Sequence, residues 1–286
     1  MAGGNYKSHS PIPISQQTSS NMELYYKHLL ATVLLLMLQQ VHSQDAVTNY
    51  CQTGLCPSLK KHIGCKNNGE LARFCPANAQ ILNLTQHQPI ILNQHNQHRN
   101  LLASGKLENL KVPEKMATMQ WHEELEKLAM LNVKQCSLKY DPCHNTPEFR
   151  NSGQNLALIK INKTDVSNEE LINSTIDRWW DQHKNITQQR VEYLPKEPKI
   201  TDLVRNFAVM ARDNNTHVGC AAIRYGMGQT QNFLMACNYA SNYMPEYAIY
   251  RVKSLNCQNG YDRLYPALCK AGEQYRDVEP LEPNKW

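Results

Sequence analysis

The stretch 216–242, THVGCAAIRYGMGQTQNFLMACNYASN, decides the fold class. Residues 217–225 and 232–240 are short and rich in β-favouring side chains, with Gly226-Met227-Gly228-Gln229 between them. Two such runs joined by a Gly-bearing connection predict an antiparallel hairpin. Cys220 and Cys237 fall one in each strand, where a bridge can pin the pair.

Upstream of the hairpin the apolar period becomes helical. From Pro89, residues Ile91, His95, His98 and Leu102 share one face at 3–4 spacing, and Gly105 ends the stretch. A second helix is expected over 120–136, with Trp121, Leu125, Leu128, Ala129, Asn132, Val133 and Cys136 on one stripe. A third is expected over 168–183, opened by Glu169 and Glu170, which favour a helix N-terminus. A fourth covers 202–212. Helices gathered before an antiparallel hairpin predict an α+β domain with helices and sheet in layers.

The 286 residues are 41% hydrophobic and carry a net charge of +5, too apolar for wholesale disorder and too mildly basic for a nucleic-acid partner. No apolar run approaches the ~18–20 residues of a spanning helix, so a stable membrane span is excluded. Ten cysteines read as five disulfides in an exported chain, and an even count leaves no free thiol nucleophile. A leader supports export. Lys27 and His28 precede the apolar run 29–38, and Val41 and Ser43 stand at −3 and −1 of a cleavage after Ser43. Met22, just before this segment, offers an alternative start. N-x-S/T sequons at Asn83, Asn162, Asn173, Asn185 and Asn214 predict a glycoprotein. The expected organisation is 1–43 extension and signal peptide, 44–82 cysteine-rich segment, 83–243 main domain and 244–286 tail.

Eight stretches then occur in a family order: NYCQTGLC…HIGCKNNG…FCP at 49–76, ILNQHNQHRN at 91–100, MQWHEELEKLA at 119–129, CSLKYDPCHNT at 136–146, SGQNLA at 152–157, WWDQHKN at 179–185, THVGCAAIRYG at 216–226 and FLMACNYASN at 233–242. In these the chain resembles the CAP superfamily of cysteine-rich secretory proteins, insect venom antigen 5 and plant pathogenesis-related class 1 proteins, and looks most like the antigen 5-like group of insects. The resemblance implies a disulfide-rich α-β-α sandwich with a central antiparallel sheet. It also implies the pairs Cys51–Cys65, Cys56–Cys143, Cys75–Cys136 and Cys220–Cys237, leaving Cys257–Cys269 to close the tail. Spacing alone does not choose among the pairings.

Many CAP proteins line an open cleft with two histidines and two acidic residues that can bind a divalent metal. Carried over position by position, the histidines fall on Tyr140 and Asn206 and the acids on Gln154 and Gln182. An offset of one at Gln182 would bring His183 into play. Amides and a phenol still hydrogen-bond, but they are poor zinc ligands and cannot serve as a general base near neutral pH. No catalytic residue, metal or cofactor is therefore assigned.

Other candidates are weaker. His122-Glu123-Glu124-Leu125-Glu126 has Glu126 where a zinc-protease helix needs its second histidine, and reads as an exposed acidic face. His95 and His98 lie one turn apart, but the family uses this helix structurally. Trp179-Trp180 reads as a core face before a ligand groove. No G-x-S-x-G elbow occurs. The expected function is that of a secreted, non-enzymatic CAP glycoprotein binding extracellular proteins, with a reproductive-tract or seminal-fluid protein as one such role. Binding of a small lipid or sterol is the alternative. Ion-channel regulation is disfavoured because only Cys257 and Cys269 follow the core.

Overall fold

The computed structural model describes residues 1, 3–4, 25–32, 48–162, 166–227, 230–252 and 256–275. Most of the apolar leader run, the cleavage after Ser43 and the hairpin residues Gly228-Gln229 lie outside the described residues. The chain divides into two units. Residues 1–48 form one, in which 25–32 are helical. Residues 49–286 form the other and hold the sheet and all elements below.

Its elements are β1 (Gln80–Ile81), α1 (Gln88–Ala103), β2 (Gln120–Trp121), α2 (Glu123–Val133), β3 (Gly153–Ile161), α3 (Asn168–Trp180), a 3-10 turn (Asp181–Asn185), α4 (Gln188–Glu192), α5 (Pro198–Met210), β4 (His217–Met227) and β5 (Thr230–Tyr239). The sheet order is β1-β4-β5-β3, with β2 paired to β4 in parallel. The β4–β5 hairpin is antiparallel, with Cys220 directly opposite Cys237.

The hairpin's alternation divides the interior into two layers, because successive strand side chains point to opposite faces. Val218, Cys220 and Ala222 of β4, with Phe233, Met235, Cys237 and Tyr239 of β5, join one core with Ile91 and Leu102 of α1, Ile172 and Trp179 of α3, and Phe207 of α5. Ala221, Ile223, Tyr225, Leu234 and Ala236 join Ala129 and Val133 of α2 on the opposite face. The result is a helix-sheet-helix sandwich of the α+β class.

Three elements depart from the sequence reading. Gln120 and Trp121 are strand, paired with His217 and Val218, so α2 starts at Glu123 behind the cap His122, whose Nδ1 accepts from the Leu125 N–H. Helix α5 starts earlier than expected, at Pro198, whose missing N–H costs nothing in a first turn. Strand β3 was missed altogether. It pairs with β5 over its full length and is buried at every residue from Gly153 to Ala157, Gln154 and Asn155 included, so polar and apolar residues do not alternate between solvent and core.

Five disulfides join Cys51–Cys65, Cys56–Cys143, Cys75–Cys136, Cys220–Cys237 and Cys257–Cys269. Each is worth roughly 2–4 kcal/mol by restricting the unfolded chain. The first closes a loop within the segment that follows residue 48, and the second and third hold that segment against the loop after α2. The tail folds back: the Cys269 N–H donates to Met116 O, and Thr118 donates to Cys269 O through both its N–H and its hydroxyl.

A buried cation ties the helical layer together. Arg99 of α1 is fully buried and donates to four backbone carbonyls, those of Ala117, Met210, Arg212 and Asp213. Burial lowers its pKa to about 10, so it remains charged at neutral pH.

One glycosylation expectation is corrected. Asn214 is 4% exposed and its Oδ1 accepts from Ser241 Oγ inside the protein, which leaves no room for a glycan. Asn83, Asn162 and Asn185 are exposed, and Asn173 is half-buried on α3.

Candidate functional site

The four positions aligned with the family's metal cleft come from separate elements: Tyr140 from the loop after α2, Gln154 from β3, Gln182 from the 3-10 turn and Asn206 from α5. Hydrogen bonds join three of them, Tyr140, Asn206 and Gln182, while Gln154 bonds to a second set, Asp141 and Asn238. Tyr140 Oη donates to Asn206 Oδ1 at 3.2 Å. Gln182 Oε1 accepts from the N–H groups of Asn206 and Phe207 at 2.8 and 3.3 Å. Gln154 Oε1 accepts from the Asp141 N–H at 2.9 Å, while its Nε2 donates to Asp141 Oδ2 at 2.6 Å and to Asn238 Oδ1 at 2.9 Å. Both amide hydrogens of Gln154 are therefore used, and a carboxylate in its place would have nothing to donate. The Asp141 side chain is 1% exposed and also receives Asn132 Nδ2 at 2.7 Å.

Gln182, not its neighbour, meets Asn206. His183 packs on Trp180 and Phe207, and burial lowers its pKa. The other histidines of the sequence reading are engaged elsewhere. His95 sits between Ile91 O at 2.8 Å and the Tyr239 hydroxyl at 2.9 Å, and burial lowers its pKa to about 4. Because a carbonyl only accepts, Nδ1 carries the hydrogen and Nε2 accepts from Tyr239. His98 bonds Asp177 at 2.8 Å and stacks on Trp180. His122 caps α2 and pairs with Glu148 at 3.3 Å, and Glu126 accepts from Trp121 Nε1. Trp179 and Trp180 lie in the core.

Among the described residues, one His/Cys/Asp/Glu group has a metal-like grouping, Cys56, His62 and Cys143. Its two sulfurs are joined to each other, so they offer no thiolate. The residue set of the cleft does not fit a divalent metal either. The Gln154 amide nitrogen and the Tyr140 phenol are committed as donors to protein oxygens, and no imidazole stands at any of the four positions.

Tyr140 and Gln154 also line a cleft of about 240 Å³, with Asp141, His144, Lys60 and Arg205. Arg205 lies over the Tyr140 ring, its guanidinium carbon 3.5 Å from the ring centre, a cation–π geometry. Burial raises the Tyr140 pKa, with Arg205 acting against it. His144 is buried, donates from Nε2 to Gly153 O at 3.0 Å and has its pKa lowered by burial. The sequence reading did not single out Lys60 or Arg205. Arg205 carried a signal, as the immediate neighbour of Asn206; Lys60, in a loop held by bridges, carried none.

A disulfide-braced α-β-α sandwich with a cleft at this position defines a class of secretory protein. The chain belongs to that class: the sequence model of the CAP, cysteine-rich secretory protein family matches residues 92–239. It is similar to the antigen 5 like allergen Cul n 1 of Culicoides nubeculosus, with 36% identity over 62% of this chain and 84% of the relative. It is also similar to venom allergen-1 of Aedes aegypti, with 27% identity over 80% of this chain and 89% of the relative. The crystal structure of NaASP2 with Zn2+ superposes with a TM-score of 0.51, covering 68% of this chain and 99% of that one. At 20% identity that likeness shows the fold alone.

Proposed function

We propose that this is a secreted, non-enzymatic CAP glycoprotein that acts by binding extracellular protein partners, in the setting of a reproductive-tract secretion. The observation that carries the reading is the chemistry of the four cleft positions. Each is an amide or a phenol, and Gln154 spends both amide hydrogens on Asp141 and Asn238. Such groups hold structure but supply neither a general base near neutral pH nor a metal-activated water. The leader and the five disulfides support export, and exposed Asn83, Asn162 and Asn185 are the sequons open to glycosylation.

Calorimetric titration of the purified protein with zinc tests the non-catalytic part. No binding isotherm is expected, and a clear one-site isotherm overturns it. Crosslinking within the native secretion tests the partner. Recovery of a defined protein supports the reading, whereas a co-purified lipid with no protein partner overturns it.

A further inference from the structure

The cleft holds four polar side chains that nothing in the protein satisfies. Among the described residues, the Lys60 ammonium and the Arg205 guanidinium make no hydrogen bond or ion pair, and the amides of Asn151 and Asn242 make no hydrogen bond; all four line the same cleft. Arg205 is held against the protein, since its guanidinium carbon lies 3.5 Å from the centre of the Tyr140 ring and its Nε is buried without a partner. Its remaining N–H groups are thus held in place with nothing to bond. The carboxylate in the lining, Asp141, is already bonded to Gln154 and Asn132 and is nearly inaccessible, so it does not neutralise the two cations. Where the family's pattern puts acids and imidazoles, this chain has amides and a phenol, and the lining gains positive charge from Lys60 and Arg205.

Each feature selects a part of a ligand. A guanidinium with unused N–H groups and a nearby ammonium favour an oxyanion, because charge-assisted bonds to carboxylate or sulfate are shorter and stronger than neutral ones. Free amides both donate and accept, which suits hydroxyl groups. The volume of about 240 Å³ lies below the range of drug-sized pockets and suits a single sugar ring. We propose that the cleft binds an acidic monosaccharide unit, its carboxylate or sulfate on Arg205 and Lys60 and its hydroxyls on Asn151 and Asn242. This rests on the non-catalytic reading of the cleft and adds the ligand's chemical class.

The test is calorimetric titration of the whole protein with glucuronate, glucose 6-sulfate and glucose. At least one of the two anionic sugars binds and neutral glucose does not; the anion that binds tells carboxylate from sulfate. Arg205→Gln and Lys60→Gln each weaken binding by about tenfold, the loss of one charge-assisted contact. Lys60 is on an exposed loop, so its variant keeps the test sound even if Arg205→Gln fails to fold. Saturation by none of the three sugars, glucose binding as tightly as the anions, or unchanged affinity in the Lys60→Gln protein overturns the proposal. A zinc isotherm overturns the reading beneath it instead, so the two failures are distinguishable.

Discussion

Replacing Gln154 by Glu restores the family's acid at a position this chain has rebuilt around an amide. Gln154 is 4% exposed, and its Nε2 donates at 2.6 Å to Asp141 Oδ2 and at 2.9 Å to Asn238 Oδ1. Gln154→Glu deletes both bonds. A bond to a charged acceptor contributes about 1.5–3 kcal/mol and one to a neutral acceptor about 1 kcal/mol. The change also sets two carboxyl groups at hydrogen-bond distance, where both cannot be ionised, so the introduced carboxyl has its folded pKa raised above the usual ~4.3. A carboxyl with a raised folded pKa binds more protons folded than unfolded, so its destabilisation grows as pH rises above the unfolded value. The expected loss is about 3–4 kcal/mol at pH ~7.5, falling to about 1–2 kcal/mol near pH 4.5, where the protonated carboxyl again donates to Asp141. Denaturant unfolding of both proteins, disulfides intact, followed by circular dichroism at the two pH values gives this difference directly. A loss that is equal at both pH values, or below about 1 kcal/mol at the higher one, refutes the reasoning.

His95, held neutral down to about pH 4 by burial, costs stability when the unfolded chain protonates more readily. Stability is complete above the unfolded pKa of ~6.5 and falls by about 3 kcal/mol as pH drops to ~4, and His95→Gln flattens that slope in unfolding titrations although it is less stable at neutral pH. At Gly219 of β4, an added Cβ would run into the backbone of α2 at Glu126 N, His122 O and Leu125 C. Gly219→Ala is expected to lose about 1–3 kcal/mol, seen as a lowered melting temperature, while Gly272→Ala, with no atom within contact range but φ +83, loses less.

The helical layer was legible because α1, α2 and α3 each present an apolar stripe at 3–4 spacing. The hairpin was legible because its strands are rich in β-favouring side chains and its connection carries glycine. Strand β3 was not, since a strand covered on both faces loses the alternation that marks strands. Trp121 was drawn into a helix by its apolar side chain, when its backbone is held by Val218. At the site, resemblance located Tyr140, Gln154, Gln182 and Asn206, but not their roles. That Gln154 is bound to Asp141 and Asn238 depends on elements 13 and 84 residues away, which local pattern does not encode. Arg205 likewise gains meaning only from the ring beneath it.

Arg99 has a consequence for how the chain is made. Three of its acceptors are the carbonyls of Met210, Arg212 and Asp213, 111 to 114 residues further along. At translation speeds of about 5–20 residues per second, the helix bearing Arg99 is exposed for roughly 6–20 s before those carbonyls are synthesised. During that interval the guanidinium keeps its water, because burying it unpaired would cost several kcal/mol. The sandwich therefore cannot close from its N-terminal side as it emerges. It must wait for α5, and a polypeptide stopped short of residue 210 lacks the partners that let its first long helix dock.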